Sequence, residues 1–558
     1  MNFNSFKSEI LNSLYVFLLI FLFVAVYYSY KAFEPEPQAQ EVISYRTLDD
    51  TLHILSSENL NVVNPTDAIF ADEVFLLNQI YQGLVKLDEH MIEVPDFAEH
   101  WTIDSKKTTY TFQLKDDQLF HNGSKVTASD VIYSIEYFLK HKSGSYIRPY
   151  FKVLEGIEDF WQGKTKHVKG IRKISDKELS FKLKHAYIPF LKLLSLPEAK
   201  ILPASILKSS PETFTRAPIG SGPYRVKSQT DSTVLLEAFE GNTTEYENIG
   251  VKYFMLWRTE ESIRKRLKSK DFDLSLNFVH NFYDPDDQFG TIRMPSLTLT
   301  FLGLNCDRFP TNNVLFRKSL LTGINRDKIV DSYKDRARPL NYLCPLNLPR
   351  HLEGTPQIKH NMVRAQYYLR QSLAQLKMQE QPRISIVVDT MSYGRALLSI
   401  IHESLDSLNI PYSTKYYSNL NWLDETRLLK ENNLFIIGWY LDIADPDFYF
   451  DVFFNSSQST NLMQYSNPTV DSLLKISYSS SQLSQRLRNY VVIEGLLIED
   501  APIVPLINNL EYIIYRKNLE GISINRLGVV SLELSRINLT QSASENFISH
   551  AVYESQKY

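Results

Sequence analysis

Two compact apolar runs, ISIVVDT (384–390) and LFIIGWY (434–440), flank a stretch of helical periodicity, YGRALLSIIHESLDSLN (393–409). Short apolar runs between turn-forming residues are what buried strands require. Strand, helix and strand in that order predict a βαβ unit, because a crossover between parallel strands needs a dozen or more residues and a helix supplies them. The chain is thereby held to the α/β class. Other segments agree with it. TYTFQLK (109–115) sets Tyr110, Phe112 and Leu114 on one face, as a half-buried strand does. TASDVIYSIEYFLKH (127–141) opens with Thr127 and Asp130 in a capping-box-like start and lines up Val131, Ile135, Phe138 and Leu139 on one helical face. LSQRLRNYVVIEGLLIED (483–500) predicts a further helix leading into PIVPLINN.

The chain has 558 residues, room for two or three domains, and its 44% hydrophobic content supplies their cores. Sixty basic and 64 acidic residues leave a net charge of −4 with no long basic block, so a nucleic-acid partner is not expected. Aromatic residues reach 13%, which suits a cleft walled by rings as well as ordinary core filling. The two cysteines, Cys306 and Cys344, exclude a cysteine-based zinc site; whether they bridge or remain free thiols stays open.

At the front, residues 11–28 form a nearly unbroken apolar stretch of 18 residues, the lower end for crossing a bilayer. Tyr27, Tyr28 and Tyr30 close it like an interfacial belt. A cleaved signal would end in small residues, so residues 1–31 are expected to be an uncleaved membrane anchor, with a cleaved signal the competitor. Residues 32–41, which hold Pro35 and Pro37, are an extended linker.

Catalytic patterns are missing. GSGP (220–223) lacks the Gly-Lys-Ser/Thr ending of a phosphate loop, and neither G-x-S-x-G nor H-E-x-x-H occurs. His121, at a turn before a helix and without a paired nucleophile, is expected on the solvated surface. The densest constellation is WYLDIADPDFYFD (439–451), with Asp442, Asp445, Asp447 and Asp451 among five rings. It has no EF-hand glycine for calcium, and nothing else supports paired glycosidase carboxylates. A cleft rim in which a carboxylate meets a ligand ammonium, and a helix start rich in capping aspartates, are both compatible with it.

Together these segments resemble one family, the extracytoplasmic solute-binding proteins of ABC importers, in the branch of the oligopeptide- and dipeptide-binding proteins. NQIYQGLVKLDEH (78–90), PDFAEHWTID (95–104), YTFQLKDDQLFHNGSKVTASDVIYSIEYF (110–138), APIGSGPYRV (217–226), FLGLNCDRFPTNNVLFRKSLLTGINRDKIV (301–330), IGWYLDIADPD (437–447) and APIVPLINNLEYII (501–514) occur in the family's order, from about residue 52 to 520. Phe120-His121 stand where the family usually has Trp. The resemblance implies a two-lobed α/β periplasmic-binding-protein fold of type II with an extra domain on the first lobe. Lobe I would comprise 42–65, 190–297 and 505–536, the extra domain 66–189 and lobe II 298–504, leaving 537–558 as a tail. GSGP then becomes a structural turn, its glycines needed for backbone geometry at positions 220 and 222.

The resemblance also implies a function: a receptor that captures a peptide between its lobes and hands it to membrane-embedded permease subunits. It would be a monomer outside the cytoplasmic membrane, tethered by the N-terminal helix, with no cofactor, metal or catalytic residue. Asp442 would pair with the ligand's α-ammonium, backbone groups around Gly438 and Tyr440 would bond the peptide main chain, and Trp439 and Tyr440 would form the wall. Arg427 is a candidate for the ligand carboxylate, against a solvated helix surface, and Trp422 a candidate pocket ring, against core. Ile436 and Ile437 replace positions where an oligopeptide binder can carry arginine, and relatives bind nickel complexes, haem, sugars or signalling peptides. A membrane-anchored signalling or interaction module of the same fold is the rival from another class.

Overall fold

A computed structural model describes residues 51–539 apart from internal stretches, the longest being 210–217, 242–249, 256–271, 277–287 and 349–356. The apolar segment 11–28, the linker and all of the tail beyond residue 539 lie outside the described residues, while Asn538–Leu539, at the start of the tail, pairs with Leu519–Glu520. Among the described residues no helix is long and apolar enough to cross a membrane.

Among the described residues, an eleven-stranded sheet organises the molecule. In order across it run Tyr412–Tyr417, Ile384–Asp389, Leu434–Tyr440, Phe289–Leu304, Ile503–Arg516, Leu274–Ser275, Thr51–Ser56, Gly250–Met255, Thr233–Ala238 and Tyr224–Gln229, with Ala337–Pro339 on Ile503–Arg516 off this path. Ile384–Asp389 and Leu434–Tyr440 are parallel neighbours, as their apolar composition requires of strands covered on both faces. The connection between them is longer than one helix. After the helix Arg395–Ser407 comes the strand Tyr412–Tyr417, parallel to Ile384–Asp389 on its other side, and then the helix Trp422–Lys430. YSTKYY carries little apolar signal because it is an edge strand, mostly exposed or half-exposed.

Two long antiparallel strands, Phe289–Leu304 and Ile503–Arg516, join the two ends of the sheet. Their register shifts between Pro295 and Leu299 and again between Thr300 and Phe301. Proline cannot donate to a ladder, and a bulge is where a strand tolerates it. Asn508 repairs the gap: its side-chain amide donates to the carbonyls of Ser296 (2.9 Å) and Thr298 (2.8 Å).

A separate four-stranded sheet holds Ala98–Ile103, Thr109–Leu114, Glu178–Lys182 and Ile171–Lys173, in that order. Thr109–Leu114 buries Tyr110, Phe112 and Leu114 in strict alternation. The helix Ala128–His141 buries Val131, Ile135, Phe138 and Leu139, and the Asp130 carboxylate accepts from the Thr127 backbone N–H at 3.0 Å.

The GSGP turn needs its glycines for closeness. A Cβ on Gly220 would lie 1.9 Å from the Ile80 carbonyl oxygen, and one on Gly222 would lie 2.6 Å from that of Gln79. Neither glycine has a left-handed backbone; the turn packs directly onto the end of the helix Ala71–Ile80, with Gly222 N–H donating to Ile80 O at 2.8 Å. His121 corrects the surface expectation. It is buried, its Nδ1 accepts from Gly220 N–H (3.2 Å) and its Nε2 donates to Gly222 O (3.0 Å). That pair of bonds requires the neutral Nε2–H tautomer. Burial pulls its pKa down to about 4. A histidine next to a tight glycine turn can clamp it, which its sequence neighbours do not reveal.

Candidate functional site

Strand geometry sends consecutive side chains to opposite faces, and this separates the two rings expected to form one wall. Trp439 packs edge-on against Phe453, 5.1 Å between centroids, and borders a narrow crevice with Tyr150 and Phe448. Tyr440 faces the other way and lines a cavity of about 340 Å³. Val74 and Asn78 of the helix Ala71–Ile80, Gln82 just beyond it, Lys200 and Leu527 complete much of its wall. The Tyr440 hydroxyl donates to Leu527 O at 3.1 Å, tying the end of the Leu434–Tyr440 strand to the segment that follows the last long strand. That segment is held in turn by Asn78, which donates to Val530 O (3.0 Å), and by Gln79, which donates to Leu532 O (3.0 Å) and accepts from Leu534 N–H (3.1 Å).

The cavity wall is charged. Glu533 accepts from Lys86 at 2.6 Å and from Arg536 at 2.8 Å. Burial alone would raise the Glu533 pKa, but the two cations outweigh it and hold the carboxyl below its usual range. Asp96 accepts from Gln82 Nε2 (3.0 Å) and from Gly83 N–H (2.8 Å).

The aspartates divide. Asp442 lies outside the described residues. Asp445 and Asp447 are buried and share Arg486 Nη2, at 2.6 and 2.8 Å. Lys192 reaches Asp445 at 3.0 Å, and the Tyr490 hydroxyl donates to Asp447. Asp445 also accepts from Asp447 N–H at 3.1 Å, at the start of the helix Asp447–Phe454. Asp451 accepts from Asn455 at 2.6 Å and from Gln458. Burial raises the Asp447 pKa, against Arg486 and with help from Asp445. Burial would also raise Asp445, yet Lys192 and Arg486 together hold it low. These three carboxylates serve helix capping and internal pairing, not a rim open to a ligand.

Gly438 sits in the same strand, opposite Thr300. Arg427 is exposed on the helix Trp422–Lys430, 3.9 Å from Asp424. Trp422 begins that helix. Ile436 and Ile437 are buried. No disulfide joins Cys306 and Cys344. Lys200 and Gln82 had no binding signal in the sequence; Gln82 falls inside the NQIYQGLVKLDEH segment and Lys200 in none of the quoted segments, and only the tertiary packing brings both to one cavity wall.

Known proteins of the same build exist. The pattern of the bacterial extracellular solute-binding proteins, family 5 middle, matches residues 93–461. The peptide transport periplasmic protein SapA of Salmonella typhimurium is 23% identical over 513 residues, covering 85% of this chain and 90% of its own. The dipeptide-binding protein of Escherichia coli is 22% identical over 482 residues, covering 80% and 87%. The crystal structure of a putative peptide binding protein AppA from Clostridium difficile superimposes with a TM-score of 0.74 at 19% identity, over 88% of this chain and all of that one. Fold, collinear segments and family pattern agree, and the chain belongs to the bacterial extracellular solute-binding proteins, family 5.

Proposed function

We propose that the protein is the extracytoplasmic receptor of an ABC importer and that its ligand is a short peptide. The observation that carries this is the cavity of about 340 Å³ at the end of the Leu434–Tyr440 strand, which falls in the size range of small-ligand sites. The relatives named for peptide transport and dipeptide binding support the ligand class. Asp442, two residues beyond Tyr440, is assigned the peptide's α-ammonium, and the backbone near Gly438 and Tyr440 its main chain, as when a strand is added to a sheet. Tyr440 is assigned the wall. Arg427 and Trp422 take no part in this assignment. Lobe I (42–65, 190–297, 505–536), the extra domain 66–189 and lobe II 298–504 would close over the ligand about the irregular pair of long strands. Segment 11–28 would tether the receptor to the membrane, and no chemical step is assigned to it.

Thermal unfolding with a library of di- to pentapeptides tests the proposal. A bound peptide at about 100 times its Kd stabilises by roughly 2.7 kcal/mol. Asp442→Asn is expected to weaken free-amine peptides far more than N-acetylated ones, and equal loss for both would reject Asp442. No shift with any peptide, beside a clear shift with a metal chelate or sugar, would reject the peptide.

A further inference from the structure

Lys200 forms part of the cavity wall and is only 6% exposed. No hydrogen bond or ion pair reaches its ammonium among the described residues. The carboxylates nearby are already engaged: Asp96 with Gln82 and Gly83, Glu533 with Lys86 and Arg536. Among the described residues of the wall, three cations, Lys86, Lys200 and Arg536, face two anions, Asp96 and Glu533, which leaves one positive charge over. A buried ammonium without a partner is costly, and burial accordingly lowers the Lys200 pKa. A second polar atom in the same wall is unsatisfied. Gln82 Oε1 is buried and has no hydrogen-bond partner. Its orientation is fixed, because Asp96 can only accept and so takes the Nε2 end.

A surplus cation and an orphaned acceptor on one cavity describe a ligand with a single negative charge and an N–H donor close to it. We propose that Lys200 binds the α-carboxylate of a peptide's C-terminal residue and that Gln82 Oε1 accepts that residue's amide N–H. This rests on the peptide reading above and specifies it: the ligand presents a free C-terminus to lobe I, at the opposite end from the ammonium given to Asp442.

The test uses the full chain, purified in detergent, and calorimetric titration with di- to pentapeptides, each as free acid and as C-terminal amide. The free acids are expected to bind about ten- to a hundredfold more tightly, the value of a charge-assisted bond. Lys200→Met, with its unliganded unfolding midpoint recorded to confirm folding, is expected to bring acid and amide within about threefold of each other. Replacing the last peptide N–H by an ester oxygen is expected to cost the wild type about two- to tenfold. Acid and amide binding alike in the wild type, or an acid preference that survives Lys200→Met, would overturn the role of Lys200 and leave the peptide ligand standing. Ester and amide linkages binding alike would overturn the role of Gln82. Failure of every peptide in both forms would overturn the peptide ligand and this inference together.

Discussion

Two buried charged regions of this molecule differ in one respect. Around Arg486 every charge is answered: Lys192, Asp445, Asp447 and Tyr490 close a network with no carboxylate left over. Around the cavity, Glu533 is answered by Lys86 and Arg536 while Lys200 is not. The first region looked the more functional in sequence, four aspartates among rings. The second showed no cluster of charges, because its residues are scattered over distant segments. A network whose charges balance holds segments together and has no net charge to offer a ligand, even though Arg486 Nε itself meets no hydrogen-bond partner among the described residues. One with a cation left over lowers its energy by taking in an anion.

Arg486→Met should break the first region outright, since it leaves Asp445 and Asp447 buried with too little counter-charge. A loss of about 3–5 kcal/mol is expected in denaturant unfolding; a loss under about 1 kcal/mol would mean the network contributes little. His121 supplies a buried polar group satisfied without any charge. Its folded pKa of about 4 lies below the ordinary 6.5, so the unfolded chain takes up the proton first. Its contribution is intact above about pH 6.5 and is lost as the pH falls toward 4, to the extent of about 3 kcal/mol. The part of the acid sensitivity that disappears in His121→Phe measures it, and an unchanged pH profile in that variant would show that His121 is not held neutral. Lys200→Met should have the smallest effect and the opposite sign, unliganded stability unchanged or raised by up to about 1 kcal/mol. A loss as large as that of Arg486→Met would erase the distinction between the two regions.

The legible parts of the sequence were those where a local pattern and the tertiary environment ask for the same thing. Thr109–Leu114 alternates because one of its faces is core, and Ala128–His141 repeats every three to four residues for the same reason. Tyr412–Tyr417 escaped because an edge strand has little apolar face to display. His121 escaped because its partners, Gly220 and Gly222, are about a hundred residues away. Trp439 and Tyr440 read as one wall, although a strand over 434–440 already sends consecutive residues to opposite faces; what the sequence could not tell is which of the two faces the cavity.

By itself the sequence determined the α/β class and the collinear set of segments that place the chain in its family, because periodicity and segment order are properties of the chain alone. Tertiary structure decided which buried charges meet a partner. Lys192 and Asp445 are 253 residues apart and Asp445 and Arg486 are 41 apart, whereas Lys200 finds no such partner among the described residues. The physical reason is that a charge's cost depends on what lies within a few ångströms of it, and long-range packing fixes that distance.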